Sequence, residues 1–195
     1  MTHYPRSVQW LHWIMAAALV GMVLFGLFMG SLVVTDPRRD LFMLGHLVTG
    51  VALLFALGLR IRWRLQGRMP ALPAVYRAWE RGLAQVVHGT FYGLMLVLPL
   101  LGLGVWLLDP FVFGPGLAEQ SVFLANLAGW LHWGHYLGGW LLLLLLVVHV
   151  IGAVRGQFSG MEERRVLQRM LSKPLEAPAP IPAPTVKKKK RRKRG

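Results

Sequence analysis

The chain has 195 residues, of which 55% are hydrophobic, and its formal net charge is +14. A chain this apolar and this basic is more typical of a membrane protein with cationic flanks than of a nucleic-acid-binding domain. It contains no cysteine, which excludes disulfides, iron–sulfur clusters, thiolate zinc sites and c-type haem. Any haem would have to be held by side chains such as histidine or methionine.

Charged side chains avoid four long stretches of the chain, which are 7–35, 41–59, 82–108 and 120–154. A helix of roughly 20 apolar residues crosses a bilayer, and in lipid the backbone of such a segment has to be helical. The sequence therefore predicts an all-α, integral membrane four-helix bundle. The predicted helices cover about 8–34, 41–62, 82–108 and 130–155, with 120–129 leading into the last one. The alternative is four core helices of a soluble protein, which exceed what one small domain can bury.

The connections between the predicted helices differ in charge. The second connection has six arginines against one glutamate, and the region after the fourth helix has thirteen cations against three glutamates. The first connection, 36–40, is neutral, and the third carries only Asp109 and Glu119. Because Lys and Arg mark the cytoplasmic side of a membrane, we predict that both termini are cytoplasmic.

Composition also divides the chain near residue 173. Residues 1–172 are predicted to form the membrane domain, and 173–195 a disordered cytoplasmic tail. The stretch 174–184 is rich in Pro and Ala, and 187–194 is eight consecutive cations, a composition typical of a solvated segment. Such a tail either lies on anionic lipid headgroups or acts as a solubilising extension, and we expect no specific nucleic acid.

Six of the seven histidines lie inside the charge-free stretches, namely His12, His46, His88, His132, His135 and His149. Ionisable side chains at that depth are candidate functional residues. For any single histidine the alternative is an interhelical hydrogen bond. The predicted orientation places His12 and His149 near the inner face, and His46 and His135 near the outer face. Each face therefore has one pair of histidines from different helices.

The spacing on the fourth helix supports these pairs. His135 and His149 are 14 residues apart, about 21 Å along a helix and within about 40° of the same face, whereas His132 points roughly 100° away from His149. The residue four positions after each paired histidine shares its face and is small; these residues are Ala16, Gly50, Gly139 and Ala153. Small residues there leave room for a flat macrocycle, although they also favour helix packing in lipid.

Two histidines from different helices at one depth favour bis-histidine haem iron, which carries electrons and has no open position for oxygen. Zinc or copper usually takes more ligands, or carboxylate and thiolate company. A proton relay gives no reason for the pairing. A haem-free transporter or scaffold is the alternative from another class, but four helices without an inverted repeat do not favour it.

Several motifs, in their order and spacing over about 4–172, resemble the bacterial cytochrome b561 family. The matching features are His12-Trp13, His46 with Arg60 14 residues later, the connector Arg64 to Pro73, His88 with Tyr92, Pro99 and Gly102, the His135–His149 spacing, and the closing Arg169-Met170. The resemblance implies two b haems held by His12, His46, His135 and His149. It also implies the bacterial inner membrane, exchange of electrons with quinone and, in some members, oxidation of superoxide at the outer face.

Further residues have candidate roles beside such haems. Arg60 is predicted to pair with a propionate of the inner haem, since its fork suits a carboxylate; the alternative is a cationic flank. His88 lies at the depth of His12, where it could bind a propionate, exchange a proton with quinone or replace His12 as ligand. Arg38 and Arg39 could steer superoxide, although Asp36 and Asp40 offset their charge. His132 either lines an outer entrance or anchors the interface.

Two functions follow from this interpretation. The first is a stand-alone oxidoreductase or electron carrier between quinone and a periplasmic one-electron partner, with superoxide as the named candidate. The second is a cytochrome b anchor subunit that passes electrons from a dehydrogenase or hydrogenase to quinone. The absence of long loops in the sequence favours the first.

Overall fold

A computed structural model describes residues 4–33, 35–67, 74–108, 121–158, 161 and 165–171. These residues form five helices: α1 (Arg6–Ser31), α2 (Arg38–Leu65), α3 (Ala78–Leu108), α4 (Val122–Gln157) and α5 (Val166–Leu171). Within this part of the chain there is no strand, so the predicted all-α class is confirmed. The predicted tail 173–195 lies outside the described residues, as do Asp109 and Glu119.

The first four helices are each long and apolar enough to cross a membrane. Large apolar side chains lie on their outer surfaces; Phe55 is 78% exposed and Trp130 is 76% exposed. Apolar surface on this scale would be a liability in water, and lipid covers it without loss. The predicted membrane-spanning bundle therefore accounts for the observed surface, and the soluble alternative does not.

The fourth predicted helix was placed wrongly at its start. Helix α4 begins at Val122 and not near Trp130, because Ser121 caps it: the Leu124 backbone N–H donates to the Ser121 hydroxyl at 3.2 Å. The 36 residues of α4 span about 54 Å, which exceeds the roughly 30 Å hydrocarbon core. Bilayer thickness therefore sets a lower bound on helix length and does not fix the ends.

The other helix ends follow local chemistry. The Asp36 carboxylate accepts the Arg38 backbone N–H at 2.9 Å where α2 starts. After α2, Gly67 has a φ of +69°, the left-handed conformation that glycine adopts most readily at a helix C-terminus. Glu80 accepts the Arg77 N–H at 2.8 Å, so α3 starts at Ala78, four residues before the predicted boundary at residue 82.

Helices α3 and α4 pack most closely, and leucines of one helix lie over glycines of the other. A Cβ built on Gly138 of α4 would lie 2.5 Å from the Leu98 side chain, and one on Gly134 would lie 3.3 Å from Leu101. In the reverse direction, a Cβ on Gly104 of α3 would lie 2.9 Å from Leu131. Glycine at these positions lets the two backbones approach, as is usual between helices in lipid.

Six of the buried apolar side chains form one apolar layer between the helices. It consists of Met15, Leu19, Leu53, Leu57, Leu98 and Leu142. On α4, Leu142 lies seven residues from His135 and seven from His149, so the layer separates the two predicted histidine levels.

The short helix α5 returns to the beginning of α1. The Gln9 amide donates to the Arg169 carbonyl at 3.0 Å, and the Trp13 indole N–H donates to the Met170 carbonyl at 3.2 Å. The Arg169 side chain is 2% exposed, and its guanidinium lies 5.5 Å from the centre of the Tyr4 ring. The segment after α4 therefore lies at the same end of the bundle as the start of the chain.

Candidate functional site

The pair predicted to lie near the outer face, His46 and His135, is brought together between α2 and α4 and is called the outer level; the level of His149 is called the inner level. The ring centres of His46 and His135 are 5.9 Å apart, with the ring planes at 70°. Two imidazoles that share one metal atom have centres roughly 6 Å apart, because each metal–nitrogen bond is about 2 Å and the nitrogen lies about 1 Å from the ring centre. The separation therefore suits a shared iron atom.

The hydrogen bonding of this pair also suits ligation. The Nδ1 atom of His135 lies 2.9 Å from the Leu98 carbonyl oxygen. Because a carbonyl only accepts, Nδ1 carries the proton and Nε2 of the neutral ring keeps its lone pair for a metal. Metal-binding histidines commonly donate their other N–H in this way. The Nδ1 of His46 is buried and has no hydrogen-bond partner among the described residues.

Glycines line the outer pair. A Cβ built on Gly102 would lie 3.0 Å from Cε1 of His135, and one on Gly26 would lie 3.6 Å from Cε1 of His46. One on Gly139, a turn after His135 on the same face, would have no neighbour within 4 Å. A small residue beside open space is the surface that a flat macrocycle needs, and the residues present therefore fit a haem.

The inner level is a cluster of three histidines. The ring centres of His12 and His149 are 6.2 Å apart, the predicted pair. Those of His88 and His149 are 5.3 Å apart, so the rival that the sequence identified lies closer still. The structure brings both candidates to His149, and the choice of His12 as ligand stays a prediction. Phe91 also lies against His149, with ring centres 5.6 Å apart.

Two arginines of α2 contact Tyr92 of α3, which lies one turn after His88 of the inner cluster. The Arg60 Nε–H donates to the Tyr92 hydroxyl at 3.3 Å, and the Arg64 guanidinium lies 5.6 Å from the centre of the Tyr92 ring. Arg60 lies within electrostatic range of all three histidines of the cluster. The inner level is therefore cationic.

Among the described residues, no group of three or more His, Asp or Glu could hold a bare metal ion.

The two arginines at the start of α2 differ from each other. Arg38 forms an ion pair with Asp36 at 2.7 Å, and hydrogen bonds from Arg38 lower the pKa of Asp36 to about 2. The carboxylate is therefore charged throughout the physiological pH range and offsets Arg38. Arg39 is half-buried, and its Nε has no hydrogen-bond partner among the described residues. It lies seven residues, two turns, before His46 on the same helix face.

The sequence did not identify every residue of these sites. It gave no role to the Leu98 carbonyl, because a backbone acceptor carries no sequence pattern. It also did not predict α5 as a helix or its contact with Trp13, whose ring centre is 5.3 Å from that of His12. Pro99 and Gly102 within one apolar helix were the sequence signal that α3 has a role besides helix packing. His132 is exposed, and its role stays open.

Comparison with known proteins identifies the family of the chain. A family model described as prokaryotic cytochrome b561 matches residues 3–173. A probable Ni/Fe-hydrogenase B-type cytochrome subunit of Rhizobium leguminosarum bv. viciae is 27% identical over 207 residues, covering 87% of this chain and 86% of that protein. A protein of the same name from Cupriavidus necator is 24% identical over 196 residues and covers 80% of each chain.

No solved structure matches the chain. The family model covers all of the described residues, including both histidine levels and α5. The chain therefore belongs to the prokaryotic cytochrome b561 family, membrane proteins of electron transport that carry b-type haem.

Proposed function

We propose that the chain is the cytochrome b subunit of a larger membrane oxidoreductase, that it holds two b haems, and that it passes electrons from a partner at its outer end to quinone. The observation that carries this proposal is α4, which presents one histidine at each level to a histidine of another helix. The relatives named as Ni/Fe-hydrogenase cytochrome subunits support a hydrogenase as the partner.

Each level has its own set of holding groups in this proposal. His46 and His135 hold the outer haem, and His12 and His149 hold the inner one. A haem held by two histidines supplies one-electron transfer. The leucine-rich layer around Leu142 keeps water and ions out of the space between the two levels.

The inner cations have a separate task. Haem carries two propionate carboxylates, and Arg60 and Arg64 would bind them, since guanidinium suits carboxylate. With His12 as the ligand, His88 remains beside the inner haem without coordinating it. Its imidazole would then be available to take or give a proton when quinone is reduced or oxidised.

The orientation and the membrane are part of the proposal. The cationic connections support a bacterial inner membrane with both termini on the cytoplasmic side, in which case the His46–His135 pair lies towards the periplasm. The contacts of α5 with α1 support a common side for the two described ends.

The partner is tested in native membranes with and without this chain. Hydrogen gas should reduce b haems and then quinone in membranes that contain the chain, and a deletion strain should lose both reactions while its hydrogenase still reduces an artificial acceptor. If hydrogen leaves the b haems oxidised in membranes with active hydrogenase, hydrogenase is not the partner.

A second candidate function is supported by Arg39. A half-buried guanidinium with an unpaired Nε, on the His46 face at the outer end, could attract a small anion such as superoxide. The chain would then be a superoxide:quinone oxidoreductase. Purified oxidised protein mixed with superoxide and quinone distinguishes the two candidates, because a subunit that depends on its partner would leave its haems oxidised.

A further inference from the structure

The turn of α3 from Leu98 to Gly102 forms a socket for the His135 ring. The Leu98 carbonyl oxygen lies 2.9 Å from Nδ1 of His135. Gly102 lies one helical turn later, and a Cβ built on it would lie 3.0 Å from Cε1 and 3.2 Å from Nδ1 of the same ring. The imidazole therefore rests on the backbone of α3 along the whole turn.

Pro99 lies inside this turn. Proline has no N–H, so it cannot donate the helical hydrogen bond to the carbonyl four residues earlier, and its ring crowds that carbonyl. The Met95 carbonyl, in the turn just before the socket, therefore lacks its helical partner, and the helix can bend where the socket begins. The Leu98 oxygen has two lone pairs and can accept from His135 in addition to its helical partner.

The socket is held against α4 by side-chain packing. The Leu98 side chain lies over Gly138, where a Cβ would be 2.5 Å away, and Leu98 belongs to the buried apolar layer. Gly138 follows His135 by less than one turn of α4. The same residue, Leu98, thus fixes the distance between the helices with its side chain and orients the histidine with its carbonyl.

We propose that this socket is a positioning element that sets the tautomer and the donor strength of His135 and thereby tunes the potential of the outer haem. The proposal rests on the proposed function, because it needs iron at the outer level. With Nδ1–H directed at Leu98, Nε2 is the ligating atom. A hydrogen bond to a carbonyl makes the imidazole more basic, which favours oxidised iron and lowers the midpoint potential.

The partner histidine provides an internal contrast. Nδ1 of His46 has no hydrogen-bond partner among the described residues. The glycine beside this ring, Gly26, is also farther away, since a Cβ built on it would lie 3.6 Å from Cε1 of His46. One ligand of the outer haem is therefore fixed by backbone and the other is not. Tuning by the protein acts through His135.

The test compares two glycines of α3. Gly102→Ala places a methyl group against the ring and should lengthen the bond to Leu98, whereas Gly93→Ala adds the same methyl where nothing lies within 4 Å. We expect G102A to raise the outer-haem midpoint so that the oxidised-to-reduced ratio at fixed potential changes about tenfold, which is about 59 mV for one electron. The highest g value of that haem should also shift, while the inner haem and G93A stay as in the parent.

Pro99→Ala covers the case in which G102A does not assemble. It adds no bulk and restores an N–H donor for the Met95 carbonyl, which removes the proline bend just before the Leu98–Gly102 turn. The Leu98 carbonyl should then move away from His135, and the outer midpoint should rise by less than in G102A.

The proposal is overturned if the parent binds two haems and G102A has the outer-haem potential and g values of G93A. Where G102A does not assemble, a parent-like outer haem in P99A overturns it. A parent chain without haem, or a His135→Leu variant that keeps both haems, would contradict the proposed function instead.

Discussion

The outer and inner histidine levels share one helix but differ in their surroundings. The His135 ring lies against Gly102 and the Leu98 carbonyl, and its partner His46 lies beside Gly26. The His149 ring lies against the rings of His12 and His88, and Arg60 is within electrostatic range of all three. The outer level is therefore governed by shape and hydrogen bonding, and the inner level by positive charge.

This difference has a consequence for electron flow. A hydrogen bond that strengthens an imidazole ligand lowers a haem potential, and nearby cations raise one because they stabilise the reduced form. We therefore expect the outer haem to have the lower midpoint potential. Electrons entering at the outer level would then move downhill to the inner level, as the proposed transfer from a partner to quinone requires.

The largest expected effect is loss of one haem when a ligand is removed. His46→Leu and His135→Leu should each lose the outer haem, and His149→Leu should lose the inner one. His132→Leu is the matched control, because His132 is exposed on the same helix and its variant should keep both haems. Haem content per chain measures the effect, and equal content in the His132 and His135 variants would contradict His135 as a ligand of the outer haem.

The next prediction resolves the inner cluster. His12→Leu should lose the inner haem, and His88→Leu should keep it with a changed low-spin spectrum, since His88 lies 5.3 Å from the centre of the His149 ring. Electron paramagnetic resonance of the two variants measures this. The opposite result would make His88 the ligand and His12 its neighbour.

A smaller effect is expected from the inner cations. Arg60→Gln and Arg64→Gln should each lower the inner-haem potential, because one charge near the haem changes the reduction energy by about 1–2 kcal/mol at a protein-like dielectric. Arg62→Gln is the control, since Arg62 lies between the two in sequence, whereas Arg60 and Arg64 both contact Tyr92. A redox titration in which Arg62→Gln shifts the potential as much as Arg60→Gln would contradict a specific role.

Sequence periodicity predicts where a residue lies along and around its own helix, but not how neighbouring helices are rotated or which backbone atoms they present. The 14-residue spacing of His135 and His149 gave both depth and face, because both lie on one rigid helix. The approach of His88 to His149 depends on the rotation of α3 relative to α4, which leucine–glycine packing decides. The Leu98 acceptor belongs to the backbone, and the difference between Arg38 and Arg39 depends on which of them Asp36 reaches.

The smallest expected effect concerns the outer arginines. Arg39→Gln should slow the reaction with superoxide, where it occurs, by a factor of a few, and Arg38→Gln should change it less because Asp36 offsets that charge. The pKa of Asp36 is lowered to about 2, so the ion pair persists from pH 8 down to about pH 4 and weakens only as the pH falls towards 2. Stopped-flow rates between pH 8 and pH 6, where superoxide is an anion, should show no Arg38-dependent step; a step in that range would contradict the pairing.

A redox titration of the purified protein, monitored by optical and paramagnetic spectroscopy together with haem content, tests whether the chain holds two haems at two levels. We expect two low-spin b haems per chain that titrate separately, and the lower-potential signal should be the one missing in His46→Leu. A single haem per chain, or a lower-potential haem that persists in His46→Leu and disappears in His12→Leu, would contradict it.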